Sequence, residues 1–196
     1  MFGDAADIQF WADFGESSPT DHIHVTIDGN SYFIGDLAEQ QASVLHFTLD
    51  QERLLSDYVK ILSLTSAGML LQDESSINVP INLVSGLPIG YFKDNHNRFN
   101  EMLTGRHTVT YHSSDGKEEI RTIHINQVRM LPQPMGSILN MLMNDHGKIA
   151  DQELAKKKIG VVDIGFRTTD FAILDRLRYI NRGSKTIDIG ISKGFS

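Results

Sequence analysis

The chain has 196 residues, 40% of them hydrophobic and 22% charged, enough apolar material for one sizeable domain or for one domain plus part of another. A net charge of -7 opposes non-specific attraction to nucleic acid or to an anionic membrane surface. The absence of cysteine excludes disulfides and thiolate metal sites and fits a reducing cytoplasm, no apolar run approaches the ~20 residues that span a bilayer, and the acidic start has no basic n-region of a secretory signal.

Residues 1–20 carry scattered aromatics among Gly, Asp and Ser, without a period, and read as an irregular segment. From His22 the pattern becomes a hairpin, with HIHVTID and SYFIG flanking Asp28-Gly29-Asn30, residues that tolerate positive φ. Thr48 and Gln51 have capping-box spacing, and Leu54, Leu55, Tyr58, Val59 and Leu62 recur at helical intervals, which predicts a helix over 50–67 ending near Gly68. INLVSGLP, closed by Gly86 and Pro88, reads as a buried strand, and 93–104 as a short helix stopped by Gly105. HTVTYH and IRTIHINQVRML form a second hairpin around Ser-Ser-Asp-Gly.

Pro132-Gln133-Pro134 breaks the chain and starts a Met- and Leu-rich helix at about 135–144. DHGKIADQELAKKK is a polar connector with a helical tendency. KIGVVDIGFRTTDFAILD is two strands joined by a tight polar turn, and SKTIDIGISKGFS closes the sequence. Strands and helices interleave without internal repeats, so the class is α/β with a mixed sheet.

The chemistry-bearing string is Val161 to Asp170, VVDIGFRTTD. Asp163 sits where an apolar strand emerges, a good hard-oxygen partner for hydrated Mg²⁺. Gly165 lets backbone approach a phosphate closely, and Arg167, Thr168 and Thr169 lie where a turn can aim donors at oxygens. By spacing alone the same string fits an ordinary hairpin with a polar turn about equally well, since D-x-G is a weak signal.

Taken whole, DIGFRTTDF resembles the second phosphate-binding hairpin of the actin/hexokinase/Hsp70 superfamily, and most closely its plasmid-segregation (ParM/StbA) actin-like branch. YFIGDLA at 32–38, VSGLP at 84–88 followed by Tyr91, VRMLPQP at 128–134, and Gly183-Ser184 with Asp188-Ile189-Gly190 are similar to that family's segments in the same order, over about 22–196. The resemblance implies an actin-like (ribonuclease H-like) ATPase fold, incomplete at both ends. Residues 21–150 would form most of a first domain, and 151–196 a connector and the opening hairpin of a second. It further implies ATP or GTP with Mg²⁺ in the full-length protein. Asp163 would hold the metal, Gly165, Arg167, Thr168 and Thr169 the phosphates, and Gln133 would orient the attacking water; without the family match, Gln133 reads as a plain loop residue. The implied partners are further copies in a filament and an adaptor protein that links to DNA, with neither direct nucleic-acid binding nor a membrane.

Against the family pattern, no first phosphate loop precedes His22; Asp13-Phe14-Gly15 has the letters but not the buried strand. The sequence therefore reads as a fragment that holds no nucleotide well. Its vacated sheet edge invites the 159–176 hairpin to fill the gap, within one chain or by dimer swapping. A second reading is a non-enzymatic actin-fold assembly module. His22 and His24 alternate on a strand without an organised third ligand, and Gly147-Lys148 lacks the rest of a P-loop.

Overall fold

The computed structural model describes residues 1–5, 22–46, 57–71 and 79–194. The Asp13-Phe14-Gly15 string and the Thr48–Gln51 capping box lie outside the described residues. In chain order the elements are β1 (Phe2–Asp4), β2 (Ile23–Ile27), β3 (Asn30–Ile34), α1 (Asp36–Gln41), β4 (Leu45–His46), α2 (Asp57–Leu70), β5 (Ile81–Leu87) and α3 (Ile89–Leu103). Then come β6 (Gly105–His112), β7 (Glu118–Pro132), α4 (Pro134–Leu142), α5 (Gln152–Ala155), β8 (Lys158–Ile164), β9 (Thr169–Asp175), β10 (Arg178–Tyr179) and β11 (Lys185–Ile187). Among the described residues, no helix is long and apolar enough to cross a membrane.

Contacts gather these elements into two compact units, Met1–Asn82 with Met102–Gln127, and Leu83–Glu101 with Val128–Ser196. The stretch after Pro134 packs with the C-terminal hairpin, because α4 lays Ile138 and Leu142 against Ala172 and Leu174 of β9.

The seven-stranded sheet has the order β4-β1-β3-β2-β6-β7-β5 and is antiparallel from β4 through β7; the first unit holds β1 to β4, β6 and β7 as far as Gln127. The β2–β3 turn has Asp28 at φ 52° and Gly29 at φ 81°, the left-handed pair a two-residue hairpin needs. Alternation puts Val25 and Ile27 of β2, Phe33 of β3, Val109 of β6 and Ile123 and Ile125 of β7 into the core. Full burial of each stabilises the unit by roughly 1.5–3 kcal/mol. Leu37 and Ala38 of α1 pack on Phe33. Residues 2–4, expected to be irregular, instead form a strand between β3 and β4, with the Phe2 ring against Tyr32 at 5.5 Å and Tyr58 at 5.4 Å. Three residues are too few for a period to show, and the cross-strand partners are about thirty and forty residues away.

Helix α2 ends at Leu70, two residues past Gly68 and close to the expected end. The glycine serves a close approach: a Cβ on it would stand 2.3 Å from the Tyr111 hydroxyl. That hydroxyl donates to the Thr65 carbonyl at 2.5 Å, and burial pushes the phenol up to about 12, so it stays a donor. Arg121 stacks over the Tyr111 ring at 4.4 Å, donates to the Gly68 carbonyl at 2.8 Å and is held by Glu119 at 2.7 Å. Two later elements differ from expectation. Helix α3 begins at Ile89, directly after Pro88, because proline suits a helix start. β5 is not uniformly buried: Val84 is 62% exposed on this outermost strand.

In the second unit, β8 and β9 pair throughout, with β10 and β11 along the other side of β9. Within the chain this hairpin therefore heads its own four-stranded sheet and does not fill a place in the seven-stranded one, contrary to the intramolecular filling expected from its sequence. Its apolar inner face is covered by α4.

Two measurements probe the first unit. Gly68→Ala would normally favour a helix by about 1 kcal/mol. Here the held Tyr111 hydroxyl blocks the methyl, and we expect destabilisation of about 1–3 kcal/mol in urea unfolding, partly relieved in the Gly68→Ala/Tyr111→Phe pair. His24 packs tilted against His112, ring centroids 4.3 Å apart, and edge-on to Phe33 at 4.9 Å, and its Nε2 is buried without a hydrogen-bond partner among the described residues. Burial, and secondarily His112, depress its pKa from 6.5 to about 4. The unfolded chain then binds the proton first, so stability falls as pH drops from about 6.5 toward about 4. His24→Phe is expected to flatten that part of the urea-midpoint profile; an unchanged slope would exclude His24 as its source.

Candidate functional site

Antiparallel pairing of β8 with β9 sets Ile164 opposite Thr169 and Asp163 opposite Asp170, leaving Gly165 to Thr168 as the connection. The turn closes on itself through the Gly165 amide, which donates to the Thr168 carbonyl at 2.9 Å. A Cβ on Gly165 would stand 3.2 Å from that carbonyl, so the tight bend favours glycine even without a positive φ. The residues 189–192 lie across the outside of the turn. The Ile191 amide donates to the Gly165 carbonyl at 3.1 Å, the Ser192 amide to the Phe166 carbonyl at 2.8 Å, and the Thr169 hydroxyl to the Ile189 carbonyl at 2.6 Å.

The six site residues expected from sequence fall into four groups. Asp163 is exposed at the end of β8, with its carboxylate open to solvent, and Arg167 is exposed within the turn. Gly165 and Thr168 form the turn's corners and are half-buried. Thr169 is 7% exposed and its one hydroxyl proton is donated to Ile189, so it has no O–H left for an anion. Gln133 occupies the N-cap position of α4 with no side-chain cap bond; its amide donates to the Leu87 carbonyl at 2.9 Å and its side chain is exposed. Its Cγ would lie 3.0 Å from a Cβ on Gly86, which ties this glutamine to the end of β5. Because α4 packs on β8 and β9, the helix that Gln133 begins rests on the hairpin that carries Asp163.

Sequence reading assigned no role to Asp170, Thr186 or Gly90, which form a chain behind the turn. The Gly90 amide, in the first turn of α3, donates to the Thr186 hydroxyl at 2.8 Å, and that hydroxyl donates to the Asp170 carboxylate. Asp170 is 5% exposed; burial raises its pKa, the Thr186 hydrogen bond opposes the rise, and the charge of Asp163 adds to it. The partners are 96 and 16 residues apart, so only the final aspartate of TTD could have hinted at the arrangement.

A hydrated Mg²⁺ keeps most of its waters and needs only one or two carboxylates beside a phosphate. The residues present fit that requirement: Asp163 is an exposed carboxylate beside a turn in which the carbonyl oxygens of Gly165, Phe166 and Thr168 are already engaged. Among the described residues, no group of three His, Cys, Asp or Glu forms a cage that would hold a metal alone.

A family model described as the N-terminal domain of actin-like proteins matches residues 2–136. No curated protein matches the chain. Among solved structures, the apo pSK41 ParM protein is 17% identical with a TM-score of 0.69, over 96% of this chain and 58% of its own. An archaeal actin homologue, in native form, is 25% identical with a TM-score of 0.64, over 97% of this chain and 54% of its own. A filament of AlfA bound to AMPPNP is 15% identical with a TM-score of 0.60, over 97% of this chain and 60% of its own. The chain thus spans between half and two thirds of the length of these structures.

Thr186→Val removes the acceptor from the Gly90 amide and the donor from buried Asp170. We expect a loss of about 1–3 kcal/mol at neutral pH, with Thr186→Ser close to wild type. Asp170 already has a raised pKa, so the folded state binds its proton more tightly than the unfolded state, and stability falls as pH rises above 3.8. The valine variant raises that pKa further, so its deficit shrinks in acid; a deficit independent of pH would assign the loss to packing alone.

Proposed function

The chain belongs to the actin-like protein family, and from that premise we propose that it carries part of the nucleotide site of a filament-forming ATPase. The observation that carries the reading is the closed turn at 165–168, braced on its carbonyl side, with the exposed carboxylate of Asp163 at its foot. Engaging the Gly165, Phe166 and Thr168 carbonyls removes groups that would repel an anion, and the glycine-containing bend permits close backbone approach. In this reading Asp163 holds Mg²⁺ through water, Gly165, Arg167 and Thr168 face the terminal phosphates, and Thr169 serves them through the backbone it fixes. Gln133, at the start of a helix seated on the same hairpin, orients the attacking water, the positioning work that phosphoryl transfer requires. A bound purine nucleoside triphosphate supplies the bond that is broken; the chain's own residues position and neutralise.

The wider role is part of the same proposal. The solved AlfA filament holds AMPPNP, and the archaeal actin homologue was also solved with ADP. By likeness to such proteins, the protein containing this chain self-associates in the cytoplasm and moves or positions DNA through an adaptor rather than by touching it. Its first domain would be 21–150, and the hairpin from 151 on would open the second.

In a protein of the relatives' full length, Asp163→Asn is expected to weaken Mg²⁺-dependent nucleotide binding about tenfold or more, read by calorimetry with and without EDTA. Gln133→Ala is expected to leave assembly, followed by light scattering, intact while slowing phosphate release by about a hundredfold. Assembly that ignores nucleotide in both the parent and the Asp163→Asn variant would favour a purely structural actin-fold module. For the 196-residue chain by itself, calorimetry is expected to detect no micromolar nucleotide binding.

A further inference from the structure

Asp-Ile-Gly occurs twice in this chain, at 163–165 and at 188–190, and the fold lays the second copy against the first. Gly190 is buried, and a Cβ there would meet the backbone of the 165–168 turn at three points: the Arg167 carbonyl carbon at 2.5 Å, the Phe166 oxygen at 2.6 Å and the Arg167 nitrogen at 2.7 Å. These are backbone atoms and cannot swing aside as a side-chain tip would. On either side of that contact, the Ile189 carbonyl accepts from Thr169, and the Ile191 and Ser192 amides hold the Gly165 and Phe166 carbonyls. The segment is closed in turn by Lys193, whose ammonium donates to the Asp188 carbonyl and lies 3.5 Å from its carboxylate.

We propose that residues 188–192 are a positioning element for the phosphate turn, with Gly190 and Thr169 as its positioning residues and the diphosphate portion of a nucleotide as the group whose binding depends on it. The inference rests on the phosphate reading of the turn. Its physical basis is polarity. A turn can present N–H groups to an anion only if its carbonyl oxygens point elsewhere and are satisfied there. In this chain the carbonyls of Gly165, Phe166 and Thr168 are all occupied, two of them by the amides of Ile191 and Ser192, directly after the second Asp-Ile-Gly. Thr169 contributes by securing that segment, not by donating its hydroxyl to the ligand. Preorganisation of this kind spares the ligand the cost of ordering the loop.

The test uses the 196-residue chain, labelled for amide NMR, with Gly190→Ala, Thr169→Val and Thr169→Ser, and Gly136→Ala as a control at a glycine with open space around it. Hydrogen exchange of the Ile191 and Ser192 amides is read first. It is expected to be slow in the wild type, the control and Thr169→Ser, and fast in Gly190→Ala and Thr169→Val, with Val25 in the other unit unchanged in all. Magnesium pyrophosphate at millimolar concentration is then titrated against the amide shifts of 165–168. Gly190→Ala and Thr169→Val are expected to need about tenfold more ligand, whereas Thr169→Ser and the control match the wild type. Gly190→Ala that binds pyrophosphate as the wild type does, or keeps Ile191 and Ser192 slow, overturns the positioning role alone. Wild-type turn amides that ignore magnesium pyrophosphate sink the phosphate reading, and the positioning role with it.

Discussion

An antiparallel sheet keeps its shape only when at least one face is covered, and each unit of this chain depends on helices laid across strands that are apolar on that face. In the first unit, Val25, Ile27, Phe33, Val109, Ile123 and Ile125 form the buried face, with α1 adding Leu37 and Ala38 over Phe33. In the second, α4 supplies Ile138 and Leu142 to Ala172 and Leu174, and Ile89 of α3 joins the same cluster. That cluster carries the candidate site, because it holds the β8–β9 hairpin, and with it the turn, against the helix begun by Gln133. The opposite side of the hairpin is less covered: Val162, Ile164 and Phe166 are each about 60% exposed.

Three glycines show how backbone proximity, rather than turn geometry, shapes the molecule. Gly68 admits the Tyr111 hydroxyl to α2, Gly90 brings its amide to Thr186, and Gly190 sets its backbone on the 165–168 turn. In each case the neighbour is distant in sequence, and a methyl group would have to displace something already hydrogen-bonded. The glycine at 68 looks like a helix terminator when the sequence is read by propensity, yet the helix continues two residues past it, to Leu70.

The charged groups of the second unit are arranged by depth. Asp163 and Asp170 face each other across the β8–β9 ladder, but one is exposed and the other is 5% exposed beneath Thr186. Two carboxylates in register would repel if both were buried and ionised. Exposure of Asp163 leaves it free to serve a hydrated cation, while Asp170, with its raised pKa, is tied to a hydroxyl and serves the architecture.

Much of this protein was legible from local pattern. Alternation marked β2, β3, β6 and β7, Asp28-Gly29 marked the hairpin turn, Pro132 and Pro134 marked the start of α4, and the string around Asp163 marked a hairpin with a tight polar turn. These features are short-range: each depends on φ preferences or on side-chain alternation within a few residues. Tertiary structure decided the rest. It made a strand of residues 2–4 by pairing them with β3 and β4, and it gave the hairpin a sheet of its own. It turned the Thr169 hydroxyl away toward Ile189 and laid the second Asp-Ile-Gly over the first. Apart from the hairpin's sheet, whose strands are close in sequence, those outcomes come from hydrogen bonds and close contacts between residues about twenty or more positions apart, and no local period in a sequence records which distant backbone will arrive.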